Sequence, residues 1–378
     1  MHVNACNWLL ENADVPIRYR VYREFLKDEK ATLRLEADLL DNPNVKYWLG
    51  KLTPLFGEHF SRLFHGAQDY CLENSILKAV QLGLNIDILS FRTALKPYVE
   101  YVEKTPVLKP YRKSYIGHDN NYDLILPTNL LVYAGLKNKT VHKIMLENIY
   151  ELHEFVKRGD CDIYLNSEER AKLKGIPKNW RGVEHFTRLE LFEKYGLCWP
   201  LIYDIVGLTK IYGLYGGDID TQIDDIINFI SSDDFHDTIT DMYGVVITTG
   251  KTKYKGCGWD PKYPGWFNIV DYMENPEKQI VYTLGGKSTG YPAKALFFAM
   301  IISHFPIARK TKWFIDLVNY LEKYKTYRNT YIFPKQWLIE KQGCAVLGNH
   351  LSFGENRRKK NWVEIESTFY VQLLQQYM

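Results

Sequence analysis

The sequence predicts an all-α fold, an α/α toroid of αα-hairpins forming one domain over residues 1–378. Three observations carry this reading. Apolar residues recur at helical spacing along the chain, no period-2 run exceeds a few residues, and no Pro/Gly/Ser-rich linker divides the sequence. Paired helices without strands must bury their apolar stripes against one another, and about a dozen of them in hairpins favour closure into a ring.

The elements follow in chain order. Residues 7–16 form a short helix, and Pro16 opens a second one with Ile17, Val21, Phe25 and Leu26 on one stripe. Over 69–84, Tyr70, Ile76, Leu77, Val80 and Leu84 recur at helical spacing, and Gly83 with Asn85 supplies a stop. Residues 86–95 repeat the pattern more briefly, with Pro97 as a stop or kink. The clearest helix covers 139–158, where Val141, Ile144, Met145, Ile149, Leu152, Phe155 and Val156 form the buried stripe. Segments 199–214, 221–230, 291–305, 313–324 and 364–376 continue the series. Two long irregular segments, at about 107–122 and 248–290, are rich in Gly, Pro, Tyr and Trp, as site-covering loops are.

Composition narrows the class. At 46% hydrophobic and 25% charged, 378 residues are enough for a sizeable core. Forty-eight basic and 45 acidic residues are spread evenly to a net charge of +3, so no footprint for nucleic acid is present. The start lacks a basic region followed by an apolar run, and no window of roughly 18 apolar residues occurs, which predicts a cytoplasmic protein without a membrane span. Six cysteines, at 6, 71, 161, 198, 257 and 344, include no C-x-x-C pair and read as reduced, mostly buried thiols. The 28 tyrosines reflect either a ring-lined cavity or an A+T-rich coding bias.

The strongest site signal lies at the C-terminal end, where Glu364, Glu366, Ser367 and Thr368 stand in a closing helix that should be apolar. Glu366, Glu355 and His350 are candidate acid–base groups, and Arg357 and Arg358 a guanidinium clamp for a carboxylate or phosphate. Alternatively, one of those arginines pairs with Glu366 and fixes the closing helix against the first ones. Ile365, Phe369 and Leu373 share one stripe; Glu366 and Tyr370 are turned from it by about 100°, so Glu366 faces the interior and must be paired or protonated. In the late loop, Trp259, Asp260, Tyr263 and Trp266 surround Pro261 and Pro264, forming either a lid that sets a carboxylate and rings over a cavity or a plug. His65, ahead of Asp69 and Glu73, and His118, beside Asp119, are each either site members or satisfied structural groups.

Trp8-Leu-Leu with Pro16-Ile-Arg-Tyr19, Gly258-Trp-Asp-Pro with Pro264-Gly265, Arg328-Asn-Thr-Tyr-Ile-Phe-Pro334, and Gly354-Glu through Glu366-Ser-Thr-Phe369 resemble bacterial proteins grouped with the terpenoid-cyclase and prenyltransferase-like α/α toroids. The resemblance implies a central cavity walled by inner-helix side chains. The motifs of those chemistries are incomplete here. Asp218-Ile-Asp220-Thr221 lacks the last acid of D-x-D-D and suits a helix start, with Asp220 or Thr221 as cap. Asp224-Asp225 and Asp233-Asp234 lack the third acid for a magnesium diphosphate site, and Asp160-Cys161-Asp162 only loosely resembles a zinc set. Gly285 to Thr289 lacks the upstream glycine of a phosphate loop. No cofactor is expected and no metal is assigned. The expected function is a non-standard small-molecule enzyme with an aromatic-walled cavity and carboxylate acid–base groups. The alternatives are a saccharide- or uronate-acting hydrolase or lyase, and a non-catalytic binding or interaction module.

Overall fold

The structure, a computed structural model, describes residues 3–52, 64–66, 68–107, 122–159, 164–172, 185–187, 200–238, 244–249, 254–259, 281–283, 286–288, 291–340 and 350–377. It is mostly helical. The helices are α1 (Val3–Asn12), α2 (Val15–Arg20, continued as a π-helical segment Val21–Leu26), α3 (Glu29–Asp41), α4 (Pro43–Lys51), α5 (Leu72–Gln81), α6 (Leu89–Lys104), α7 (Tyr122–Tyr133), α8 (Lys139–Val156) and α9 (Ser167–Ala171). They continue as α10 (Ile202–Ile211), α11 (Gly217–Ile230), α12 (Asp233–Thr238), α13 (Tyr291–Ile302), α14 (Pro306–Arg309), α15 (Lys312–Leu321) and α16 (Trp362–Gln375). No helix among the described residues is long and apolar enough to cross a membrane.

Local chemistry sets the boundaries. Asp28 accepts from Ala31 N, Asn42 from Asn44 N and Val45 N, and Asn138 from Thr140 N and Val141 N, which caps α3, α4 and α8. The expected stripe of α8 is buried throughout. Three expectations are corrected. Pro97 neither stops nor ends α6, which runs on to Lys104 because Tyr98 and Val102 are buried beyond it. Tyr70 precedes α5 and is exposed rather than part of its stripe. α11 begins at Gly217 with Gly216 as its cap, so Asp218 and Asp220 occupy the first turn and Asp220 accepts the Gly213 N–H at 2.9 Å instead of capping.

Short strands also form, most of them within the 248–290 segment expected to be irregular. β2 (Gly244–Thr249) and β3 (Tyr254–Trp259) pair antiparallel, Gly244 opposite Trp259, while β1 (His185–Thr187) joins β2 in parallel. β4 (Val281–Thr283) and β5 (Gly286–Ser288) form a second antiparallel pair.

Packing runs from helix to helix: α5 against α7, α7 against α10, α10 against α13, α13 against α16, and α16 against α1. A second row stands behind, with α6 and α8 on α7, α11 on α8, and α14 on α11. Arg20 on α2 donates to Gln81 O of α5 at 2.9 Å, linking the first and third hairpins.

One cavity of about 310 Å³ is lined by the last residues of six helical segments: Arg23 and Glu24 after α2, Gln81 of α5, Tyr133 of α7, Lys210 of α10, Ile301 of α13 and Gln376 after α16. These segments therefore share a direction, and their N-termini face away from the cavity. The connections at the cavity end are short, covering 27–28, 82–88, 134–138 and 212–216, and 303–311 carries only the one-turn helix α14. Those entering the N-termini of α5, α7, α10, α13 and α16 are long, covering 52–71, 105–121, 157–201, 231–290 and 322–361.

Candidate active site

The long connections mark the N-terminal rim as the place to look for chemistry, since binding and catalytic groups gather on loops held by a rigid frame. Acids follow the same polarity. Glu73 lies in the first turn of α5, Asp204 in that of α10 and Glu364 in that of α16, each facing the positive end of a helix dipole.

Glu73 is fully buried and central to the described part of this rim. Its Oε1 accepts Gly66 N–H at 2.5 Å and stands 3.1 Å from His65 Nδ1, while Oε2 accepts the hydroxyl of Tyr203, on α10. A carboxylate only accepts, so His65 Nδ1 carries the hydrogen and Nε2 is turned away from Glu73. Burial alone would lower the pKa of His65, but the hydrogen bond and charge of Glu73 outweigh it and raise the pKa above the ordinary histidine value. The His65 side chain is 56% exposed, so a ring held from behind by a buried acid presents its other face outward. Tyr203 also lies 3.4 Å from His65 Nδ1 and edge-on to its ring. Beside this group, Asp204 accepts from Asn129 and Asn148, each at 3.0 Å, and from Leu201 N at 2.9 Å, which locks the start of α10.

The C-terminal candidates divide. Glu366 is fully buried, and its Oε1 accepts Phe353 N at 2.9 Å, Glu355 N at 3.3 Å and Ser352 Oγ at 3.2 Å. Its Oε2 faces Arg357 at 3.6 Å. Burial pushes the Glu366 carboxyl up to about 7, against the pull of the Arg357 charge and the Phe353 N–H. Arg357, half-buried over the Trp362 ring at 4.7 Å, also approaches Glu340 at 3.8 Å. Lys78, fully buried, completes this group through Glu340 at 3.1 Å and Ser352 O at 2.9 Å. Glu355 serves elsewhere: it accepts Asp14 N–H at 2.8 Å and pairs with Lys359 at 2.8 Å. His350 is buried against the edge of Trp48, and its carbonyl accepts from Gln81. Arg358 stands apart from this group: it is exposed, and among the described residues its backbone N–H donates to Asn356 Oδ1.

The polar run in α16 thus answers backbone groups. Thr368 accepts Tyr331 N–H at 2.9 Å, Ser367 accepts Phe333 N–H at 3.0 Å, and Glu364 takes the Thr330 hydroxyl at 2.5 Å. Thr330, Tyr331 and Phe333, and the segment 352–355, are buried against this helix, and N–H groups among them need acceptors there. Gly354, at φ 91°, fits where a Cβ would stand 2.6 Å from Leu82 and 3.0 Å from Pro16.

His118, Asp260, Tyr263 and Trp266, and the Asp160-Cys161-Asp162 run, lie outside the described residues; Trp259 ends β3. No group of three His, Cys, Asp or Glu side chains gathers at metal-binding spacing among the described residues. Sequence reasoning placed Glu73 only as company for His65 and did not single out Tyr203, Lys78 or Glu340. A lysine on the buried face of α5, at position 78 between Leu77 and Ala79, was the available signal.

Comparison with family models, with curated proteins and with solved structures gives no match.

Proposed function

We propose that the protein is an α/α-toroid enzyme that transfers protons on a small polar substrate, with His65 as the acid–base group. The observation carrying this is the buried Glu73 carboxylate, which fixes the partly exposed His65 ring and the Tyr203 hydroxyl at once. The toroid reading is supported by the helix succession from α5 to α16 and back to α1 and α2, and by the convergence of six helix ends.

In the proposed mechanism Nε2 of His65 takes a proton from the substrate, and Glu73 stabilises the imidazolium through Nδ1–H. Glu73 is a positioning residue, and Tyr203 completes its hydrogen bonding and holds α10 to α5. The imidazolium then returns the proton to a leaving oxygen.

This machinery suits a polar substrate better than a hydrocarbon cation. A cyclase-like site needs a dry lumen walled by rings; the rim group is a partly exposed histidine on a buried carboxylate. Of the classes expected from the sequence, a saccharide or uronate is therefore the favoured substrate. The test is a panel of uronate-containing and neutral oligosaccharides, followed by absorbance of unsaturated products and by reducing-end release. Turnover should fall about 10²- to 10⁴-fold in His65→Gln with the fold intact. Turnover unchanged in that variant would sink the assignment.

A further inference from the structure

The cavity at the opposite end of the helices is charged and polar rather than aromatic-walled. Among the described residues, Arg20, Arg23, Lys27 and Lys210 line it with a single acid, Glu24. Part of this charge is already used. Arg20 binds Glu24 through two bonds of 2.9 Å and caps Gln81 O, while Arg23 binds Glu24 at 2.7 Å and caps Gly83 O at 2.8 Å. These guanidinium groups answer the carbonyl end of α5. Burial works to raise the Glu24 carboxyl, but Arg20 and Arg23 draw it down to about 2, so it is permanently ionised and consumed.

What remains is not consumed. Lys210 and Lys27 make no ion pair among the described residues, and Tyr133, 7% exposed, makes no hydrogen bond there. The Gln81 side-chain oxygen, also buried on this wall, has no partner among the described residues. Tyr377 is satisfied, since its hydroxyl lies 3.0 Å from His304 Nε2, while His304 Nδ1 donates to the Met300 and Ile301 carbonyls. That arrangement keeps His304 neutral, and burial beside Lys210 takes its pKa down to about 4. Tyr133 is pushed up to about 12 by burial and stays a donor. The Lys210 ammonium, on an exposed residue, and the hydroxyl of the buried Tyr133 thus face one space in which four cations stand against one carboxylate among the described residues. A cleft whose charges are mostly of one sign concentrates ions of the other.

We propose that this cavity is a second ligand site, separate from the His65 rim, that takes a small organic oxyanion between the Lys210 ammonium and the Tyr133 hydroxyl. The volume of about 310 Å³ exceeds what a bare inorganic ion fills and sits at the lower end of the range, about 300 to 1,000 Å³, of small-molecule sites. Glu73 and Gln81 lie at opposite ends of α5, roughly 12 Å apart along its axis. The ligand therefore does not touch the rim group and would act as an effector or structural ligand.

The test is thermal unfolding of the full chain against citrate, inorganic phosphate, and sodium chloride at matched ionic strength. Citrate and phosphate arms separate a carboxylate from a phosphate source of the same oxyanion chemistry. A saturable rise in Tm with either anion, absent with chloride, is expected. Lys210→Met and Tyr133→Phe should each weaken the apparent Kd by roughly tenfold or more, since hydrogen bonds to a charged group are lost. No saturable shift with either anion, or a shift that both variants retain, would overturn the proposal. Because the rim is untouched, loss of this binding in Lys210→Met leaves the His65 reading to stand or fall on its own test.

Discussion

Lys359 and Asp14, whose charged groups lie 2.6 Å apart, join the two ends of the chain. The same ammonium reaches Glu355 at 2.8 Å and the Asn12 carbonyl at 3.1 Å, while Asp14 accepts Asn356 N–H at 2.9 Å. Lys359→Met leaves the buried Glu355 carboxylate facing only a backbone N–H. The expected cost is about 2 kcal/mol in urea unfolding, much of it recovered in the double variant with Glu355→Gln. Additive costs in that cycle would show that Lys359 and Glu355 act independently.

Glu366 gives a pH signature. Its folded pKa, about 7, lies above the ordinary carboxyl value of 4.5, so the folded state holds the proton over that interval while the unfolded state has lost it. The contribution of Glu366 to stability therefore falls as pH rises from about 4.5 to about 7, by about 3 kcal/mol in total. Relative to Glu366→Gln, the wild type should lose that amount between pH 4 and pH 8. A difference independent of pH would mean that Arg357 and the backbone donors keep the carboxyl ionised throughout.

Glu73→Gln should lower the pKa of His65, read by NMR titration of the ring protons, because its charged acceptor is removed. The same change should cost about 1–3 kcal/mol, since Gly66 N–H and the Tyr203 hydroxyl lose their ionised partner. His65→Gln leaves those two bonds in place and should cost much less. Equal losses would argue that the histidine is itself structural.

Gly207 sits where α10 meets α7, and a Cβ there would stand 2.3 Å from Asn129 Oδ1 and 3.1 Å from Met145 Cε. Gly207→Ala should destabilise by about 1–3 kcal/mol, through overpacking and displacement of Asn129 from Asp204. Calorimetry that finds the variant as stable as the wild type would show that the Asn129 side chain can turn away freely.

Helices with a wide apolar face, and one uniformly apolar run at 291–302, were legible in the sequence, whereas α3 and α7 were not. α8, α10, α11, α13, α15 and α16 all lie within or close to the expected segments, because in most of them one face is apolar or a run is uniformly so. α7 escaped notice: every described position from Leu124 to Ala134 is buried, so no polar face marks a period, and Pro127 reads as a breaker. α3 escaped for the opposite reason, since it buries only Ala31, Thr32 and Leu39. The interior setting of Glu366 was readable from its stripe. Its role as acceptor for 352–355 was not, because irregular backbone that comes to rest on a helix carries no local pattern. Tyr203 meets Glu73 across 130 residues, a distance that no spacing argument spans.

The uneven lengths of the helix connections bear on how such a protein changes over time. Loop-closure entropy grows only logarithmically, so doubling any of the segments entering the rim costs about 0.6 kcal/mol. The turns at 82–88, 134–138 and 212–216 decide which helices are neighbours, and they lie away from the His65 rim. Insertion and exchange at the rim can therefore redraw what is recognised there, while helix order and the buried anchor at Glu73 are inherited unchanged.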